Sequence, residues 1–128
     1  SVNPVALGIL AQAAGFGGIG IYWHSQGAFV HTDTRGGKST WLCTTPGSYP
    51  STSYNAFVMP TIQQGCTGAA NCSATIMLQK LLKIKADGSF GPGTTKALMI
   101  AQEKHGLKVD GICGPASWKA ISGANKYL

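Results

Sequence analysis

Charged side chains are scarce in this 128-residue chain: they make up 11% of it, and only four are acidic. Soluble proteins commonly carry about 25% charged residues, so much of this surface must come from Gly, Ser, Thr, Asn and Gln. Such a surface suits an extracellular protein that contacts polar sugars. The shortage of acids also leaves few candidates for a general base in hydrolysis. The carboxylates are Asp33, Asp87, Glu103 and Asp110.

A long uninterrupted hydrophobic segment is also missing. Residues Val5–Trp23 are apolar except for Gln12, but five glycines interrupt the stretch and argue against one continuous helix. We therefore expect no membrane span. The pattern instead predicts a short helix from Pro4 to about Ala14, capped by Asn3, and then a buried strand.

Basic residues outnumber acidic residues by ten to four, which gives a net charge of +6. Eight of the ten lie after residue 79, so the C-terminal part should attract an anionic partner such as nucleic acid, anionic lipid or bacterial cell wall. The lysines are spread singly, without an arginine cluster or an accompanying aromatic platform, and we expect no nucleic-acid binding. A charge that serves only solubility is the alternative.

The chain has four cysteines, an even number whose spacing fits no zinc-binding pattern. This predicts two disulfides and an oxidising, extracellular compartment; four buried thiols are the alternative. Of the three possible pairings we favour Cys72–Cys113 with Cys43–Cys66.

Strands are predicted only in the first third of the chain. Ile19–Trp23 and Ala28–Thr32 flank a tight turn at residues 24–27, and Lys38–Cys43 is a candidate third strand. From residue 44 to residue 72 the chain is rich in Thr, Ser, Pro and Gly, which indicates irregular structure or a linker.

The C-terminal part contains a gap-free internal repeat. Asp-Gly, Gly-Pro and short helical segments recur at an offset of 23 residues, as from Gln79 to Gln102. The matched segments are Leu78-Gln79 with Ala101-Gln102, Asp87–Pro92 with Asp110–Pro115, and Thr95–Leu98 with Trp118–Ile121. Each unit reads as a helix, an Asp-Gly turn and a Gly-Pro pair before the next helix.

Three helices follow from this pattern, at about Ala74–Lys85, Thr94–His105 and Ser117–Ser122, with Thr94 and Ser117 as candidate caps. None is long enough to be stable alone, so they must pack together. The predicted fold class is α+β: a short helix and two or three antiparallel strands, then a small three-helix domain with an internal repeat.

Residues 73–128 resemble the peptidoglycan-binding domain found beside many wall hydrolases. The resemblance is carried by Leu78-Gln79, by Asp87–Thr94 and by residues 106–118; Ala101 and Cys113 depart from the usual pattern. The resemblance implies secretion and binding to peptidoglycan or another cell-wall polymer. We interpret most motif residues as architectural, and Trp118 as core. The candidate ligand contacts near the loops are Phe90, Thr94, Lys96 and Trp118.

The N-terminal part resembles the end of a zinc D-Ala-D-Ala carboxypeptidase-like domain. The resemblance lies in residues 13–22 and in Phe29–Arg35. It implies that His31 is a zinc ligand; a structural histidine on a short sheet is the alternative. Of the four carboxylates, only Asp33 is plausibly placed to act as a general base. That family supplies two further ligands from an upstream His and Asp, and this chain has no histidine before His24. Catalytic zinc needs three protein ligands.

We therefore expect three regions: a partial peptidase-like segment at 1–43, a linker at 44–72 and a peptidoglycan-binding domain at 73–128. The leading hypothesis is a non-catalytic wall-binding protein without a cofactor. The alternatives are a zinc-dependent D-Ala-D-Ala carboxypeptidase or wall endopeptidase, completed by another segment, and a structural extracellular protein. Whether the chain is an enzyme, and whether it oligomerises, stays open at this stage.

Overall fold

A computed structural model describes residues 2–34, 36–52 and 57–128. One helix and a four-stranded sheet come first, and three helices follow, so the expected α+β class is confirmed. The helices are α1 (Pro4–Ala13), α2 (Ala69–Leu82), α3 (Pro92–Lys104) and α4 (Pro115–Ser122), followed by a 3₁₀ turn at Ala124–Lys126. The strands are β1 (Gly18–His24), β2 (Gly27–Asp33), β3 (Ser39–Cys43) and β4 (Ser51–Thr52).

The sheet is mixed, where the sequence predicted antiparallel strands alone. Its order is β2-β1-β3-β4, and β1 pairs antiparallel with β2 but parallel with β3. The hairpin returns the chain to the start of β1, since Asp33 lies opposite Gly18. Ser39, the first residue of β3, lies opposite Gly18 and donates to the carbonyl of Gly17 over 2.8 Å. Because β3 starts where β1 starts, the two strands must run in the same direction.

Helix α1 confirms the predicted N-terminal cap. Pro4 occupies the first turn, and the Asn3 side-chain oxygen accepts a hydrogen bond from the amide of Ala6 over 2.9 Å. The other end of the same side chain donates to the carbonyl of Ser122 over 2.7 Å. One residue therefore starts the first helix and also fixes it to the end of α4.

A single hydrophobic core joins the sheet to the C-terminal helices. The inward side chains of β1 and β3 pack with those of α1 and of the three later helices. The fully buried members include Ile9, Ile19, Leu42, Met77, Leu78, Leu98 and Trp118. No helix in the described ranges has both the length and the apolar character needed to cross a membrane.

The segment at 44–72 supplies part of this core. Val58, Met59 and Ile62 are buried, and the side chain of Gln12 accepts a hydrogen bond from the amide of Val58 over 2.7 Å. Because apolar residues lie among the Pro, Ser and Gly residues, this stretch can pack against both the sheet before it and the helices after it. The boundaries at 43/44 and 72/73 remain a prediction.

The prediction of two disulfides is wrong, because all four cysteines are free thiols. Cys43 ends β3 in the core, where its Sγ donates to the carbonyl of Thr45. Cys113 is buried against Ile62, and burial raises the pKa of its thiol. Cys72 is exposed on α2. An even count cannot distinguish bridges from buried thiols, which pack as small hydrophobic groups.

Candidate functional site

A buried glutamine organises the first repeat unit. Gln79 on α2 is 1% exposed, and its side-chain oxygen accepts a hydrogen bond from the amide of Gly88 over 2.9 Å. Its Nε2 lies 2.9 Å from the Asp87 carboxylate, 3.1 Å from the Ser89 carbonyl and 3.0 Å from the Thr94 hydroxyl. One amide thus satisfies the Asp-Gly turn and the first turn of α3 together.

The second unit repeats these contacts 23 residues later. Gln102 is also 1% exposed, and its Nε2 lies 3.0 Å from the Asp110 carboxylate, 2.9 Å from the Ile112 carbonyl and 3.1 Å from the Ser117 hydroxyl. Its oxygen accepts from the amide of Gly111 over 3.1 Å. The sequence repeat is therefore a repeat of a polar network, and not only of turns and helices.

The turn carboxylates belong to this network. The backbone amide of Ser89, and then the amide of Gln79, donate to Asp87 and lower its pKa. The backbone amide of Ile112, and then the side-chain amide of Gln102, donate to Asp110 and lower its pKa in the same way. Both carboxylates are exposed, but their hydrogen bonds are directed inward. They stabilise the turns.

The Gly-Pro pairs begin the helices, which corrects the prediction that Thr94 and Ser117 cap them. Gly91 and Gly114 are the capping residues, and the proline after each occupies the first helical turn. Thr94 and Ser117 lie one turn further in and accept hydrogen bonds from the buried glutamines instead. From sequence, a Thr or Ser three positions after the glycine could either cap the helix or bind a packed side chain. The buried glutamines select the second role.

The outer face of α3 forms an open groove of about 420 Å³. We call it the α3 groove. Exposed apolar side chains form its floor, and one basic and one acidic side chain stand on it: its lining is Gln64, Pro92, Thr95, Lys96, Met99, Ile100, Glu103 and Val109. Lys96 and Glu103 are exposed, and neither forms an ion pair within the described ranges. The groove thus offers an apolar surface with both signs of charge.

Of the four candidate ligand contacts, the structure places only Lys96 on this groove. Phe90 and Thr94 are 5% exposed, and Trp118 is fully buried, with its Nε1 donating to the carbonyl of Pro60 over 2.9 Å. Direct contact between these four residues and a ligand stays a prediction. Sequence reasoning missed Met99, Ile100 and Val109, because Met99 and Ile100 are adjacent and Val109 lies beyond α3, so the three show no helical spacing.

His31 and Asp33 lie side by side on β2, as their alternation predicts. His31 Nε2 is 3.1 Å from the Asp33 carboxylate, and both side chains are partly exposed. Within the described part of the chain no three His, Cys, Asp or Glu side chains come together as a metal site. The zinc-ligand role of His31, which the resemblance implies, and the role of Asp33 as a general base stay predictions.

The repeat units coincide with a known family. Residues 74–121 match the family model described as "Putative peptidoglycan binding domain". The matched range runs from within α2 to the end of α4 and contains both buried glutamines. The resemblance of the C-terminal part to a peptidoglycan-binding domain is thereby confirmed.

The match covers fewer than half of the 128 residues, and it leaves the sheet outside the peptidoglycan-binding domain. Neither a curated protein nor a solved structure matches the chain significantly. Nothing in these comparisons supports the resemblance of residues 1–43 to a zinc carboxypeptidase. The α3 groove lies on the matched domain, apart from its contribution from Gln64.

Proposed function

We propose that this protein binds bacterial peptidoglycan outside the cell, without cleaving it, and that the α3 groove contacts the stem peptide. The match of residues 74–121 to a peptidoglycan-binding domain carries the proposal. The groove is an open, largely apolar surface on the outer side of α3, and apolar pockets with a few well-placed polar groups are the usual form of ligand sites.

The charges of the groove suit a wall stem peptide. Such a peptide carries carboxylates and, at its diamino acid, an amino group. Lys96 would meet a carboxylate, and Glu103, two helical turns further along α3, would meet an ammonium group. Met99 and Ile100 between them would pack against the peptide's apolar atoms.

The remaining lysines provide a weaker, non-directional attraction. Six of the eight late basic residues are exposed, so the peptidoglycan-binding domain carries a basic surface: Lys83, Lys85, Lys96, Lys104, Lys108 and Lys126. Attraction between exposed charges is screened by salt over about 8–10 Å at ordinary ionic strength. Binding to anionic wall should therefore weaken as salt is raised, while the apolar contribution of the groove persists.

Co-sedimentation with purified sacculi tests the proposal. The intact chain should pellet with sacculi at low salt, and the double variant Lys96→Ala/Ile100→Ala should bind about tenfold more weakly, equivalent to roughly 1.4 kcal/mol. The matched control, Lys126→Ala/Leu7→Ala, also removes one lysine of the basic surface and one exposed apolar side chain, but away from the groove. It should show only the small salt-sensitive loss that both double variants share, so that the difference between the two variants measures the groove. Equal recovery in the supernatant with and without sacculi would contradict wall binding.

Non-catalytic action is tested separately. The chain is incubated with added zinc and a peptide ending in D-Ala-D-Ala, or with sacculi, and free D-Ala and soluble muropeptides are measured. We expect neither product. Release that is abolished by His31→Ala would make the zinc peptidase the better hypothesis.

A further inference from the structure

The outward face of the sheet carries a cluster of aromatic rings that the peptidoglycan-binding domain does not use. Alternate residues of β1, β2 and β3 point away from the core, and Tyr49 follows β3. We call these residues the aromatic face: Tyr22, Phe29, His31, Trp41 and Tyr49. Phe29 and Tyr49 are 49% and 55% exposed, a high value for large aromatic side chains.

The rings form one connected arrangement. Phe29 stacks on Tyr22 with centroids 4.4 Å apart and planes 10° from parallel. Tyr49 approaches Tyr22 edge-on at 6.1 Å, and His31 lies 5.5 Å from Trp41. Trp41 Nε1 donates to the Tyr22 hydroxyl over 2.9 Å. These contacts fix the rings relative to each other, so that a ligand would meet a preorganised surface.

Two glycines of β1 shape the middle of this surface. A side chain on Gly20 would collide with the Trp41 indole, and one on Gly18 would collide with the Asp33 carboxylate. The Trp41 indole and the Asp33 carboxylate therefore lie over β1, at the two glycines. Because these glycines have no side chains, β1 does not protrude between β2 and β3. The aromatic face spans three adjacent strands, about 10 Å at the usual strand spacing, which is wide enough for more than one sugar ring.

We propose that the aromatic face binds a chain of uncharged sugars. The apolar C–H faces of pyranose rings pack well against exposed aromatic rings, which bury large apolar areas. Sugar hydroxyls need hydrogen-bond partners nearby, and the partly exposed His31–Asp33 pair supplies them on the same face.

Charge favours this ligand over a polyanion. Eight of the ten basic residues lie after residue 79, beyond the sheet. Asp33, which is paired with His31, faces this surface. A neutral saccharide chain uses both the rings and the polar pair. The inference rests on the proposed function only for the choice of an N-acetylated sugar as the probe.

The test is a titration of the isotope-labelled full chain with the tetramer of N-acetylglucosamine, followed by NMR. The amides of β1, β2 and β3 and the indole N–H of Trp41 should shift and saturate. Phe29→Ala should weaken binding by about tenfold, because it removes the apolar contact area of one exposed ring. Tyr127→Ala removes an exposed ring outside the aromatic face and is the matched control.

Three outcomes would overturn the inference: no shifts in the sheet at millimolar sugar, equal affinity of the Phe29→Ala and Tyr127→Ala variants, or sheet shifts that depend on protein concentration alone, which would show that a second copy covers the face. The variant Lys96→Ala/Ile100→Ala separates the two proposals. It should lose sacculus binding through the α3 groove and still bind the sugar tetramer, so each proposal can fail without the other.

Discussion

The two repeat units share a skeleton but differ in what covers it. Thr95 and Trp118 occupy the same position, 23 residues apart, in the first turns of α3 and α4. Thr95 lines the open α3 groove, whereas Trp118 is fully buried beneath the carbonyl of Pro60. The repeat therefore sets the local scaffold, and the neighbouring segment decides whether a given face becomes a groove or part of the core.

Residues 58–65 make this difference. Ile62 and Cys113 exchange two backbone hydrogen bonds of 2.8 and 3.1 Å, and Gly65 donates to the carbonyl of Phe90. The segment thus crosses the loops of both units. It closes over α4, but on the outer face of α3 only Gln64 reaches the groove, where the Thr95 hydroxyl donates to it over 3.2 Å.

The largest expected effect on stability comes from removing Trp118, the buried member of the Thr95 and Trp118 pair. Trp118→Ala should reduce the free energy of unfolding by about 3–5 kcal/mol, because it leaves a cavity and an unpaired Pro60 carbonyl. Thr95→Ala should cost no more than about 1 kcal/mol, the contribution of its hydroxyl hydrogen bonds. Denaturant titrations measure both. Similar losses from the two variants would show that the units are equally covered.

The two glutamines provide the sharper comparison, because their hydrogen bonds match. Gln79→Leu and Gln102→Leu should each reduce the free energy of unfolding by about 2 kcal/mol, since each leaves turn amides and carbonyls without partners. Gln63 is exposed, and Gln63→Leu, the control, should change it by less than about 0.5 kcal/mol. If only one of the two variants lost stability, the two networks would have the same geometry but different contributions to the free energy of unfolding.

The smallest expected effect is a dependence on acid. The pKa values of Asp87 and Asp110 are lowered in the folded state, so their contribution to stability is fully present above the pKa of the unfolded chain. It is lost as pH falls through the folded values, below about pH 4. The double variant Asp87→Asn/Asp110→Asn should lose less stability between pH 6 and pH 3 than the wild type, as measured by thermal unfolding. Identical pH profiles would assign the acid sensitivity to other groups.

Much of the C-terminal fold was predictable because its signals are local. Asp-Gly and Gly-Pro mark turns and helix starts wherever they occur, and Gly88 and Gly111 adopt positive φ as that chemistry requires. Helix α2 begins five residues before the predicted Ala74 and ends at Leu82, because Lys83 turns into the left-handed region. The glutamines were missed as organising residues, although each stood as a polar residue on an otherwise apolar helix face.

The site was less predictable than the fold. Phe90, Thr94 and Trp118 are candidate ligand contacts because they lie near loops in the sequence. In the structure all three side chains are buried. Proximity to a loop does not tell which way a side chain points once helices pack. The aromatic face was not found at all, because its members come from three strands and one loop and have no common spacing along the chain.

Sequence alone determined the repeat, the three C-terminal helices, the capped first helix, the hairpin and the similarity of the C-terminal part to a peptidoglycan-binding domain, because short-range steric rules and recurring motifs set these. Only the tertiary structure decided the parallel pairing of β3, the free cysteines, the burial of Trp118 and the opening of the α3 groove. Each of those depends on which distant segments meet. For Trp118 and the α3 groove the deciding segment is residues 58–65, whose backbone partners lie far along the chain.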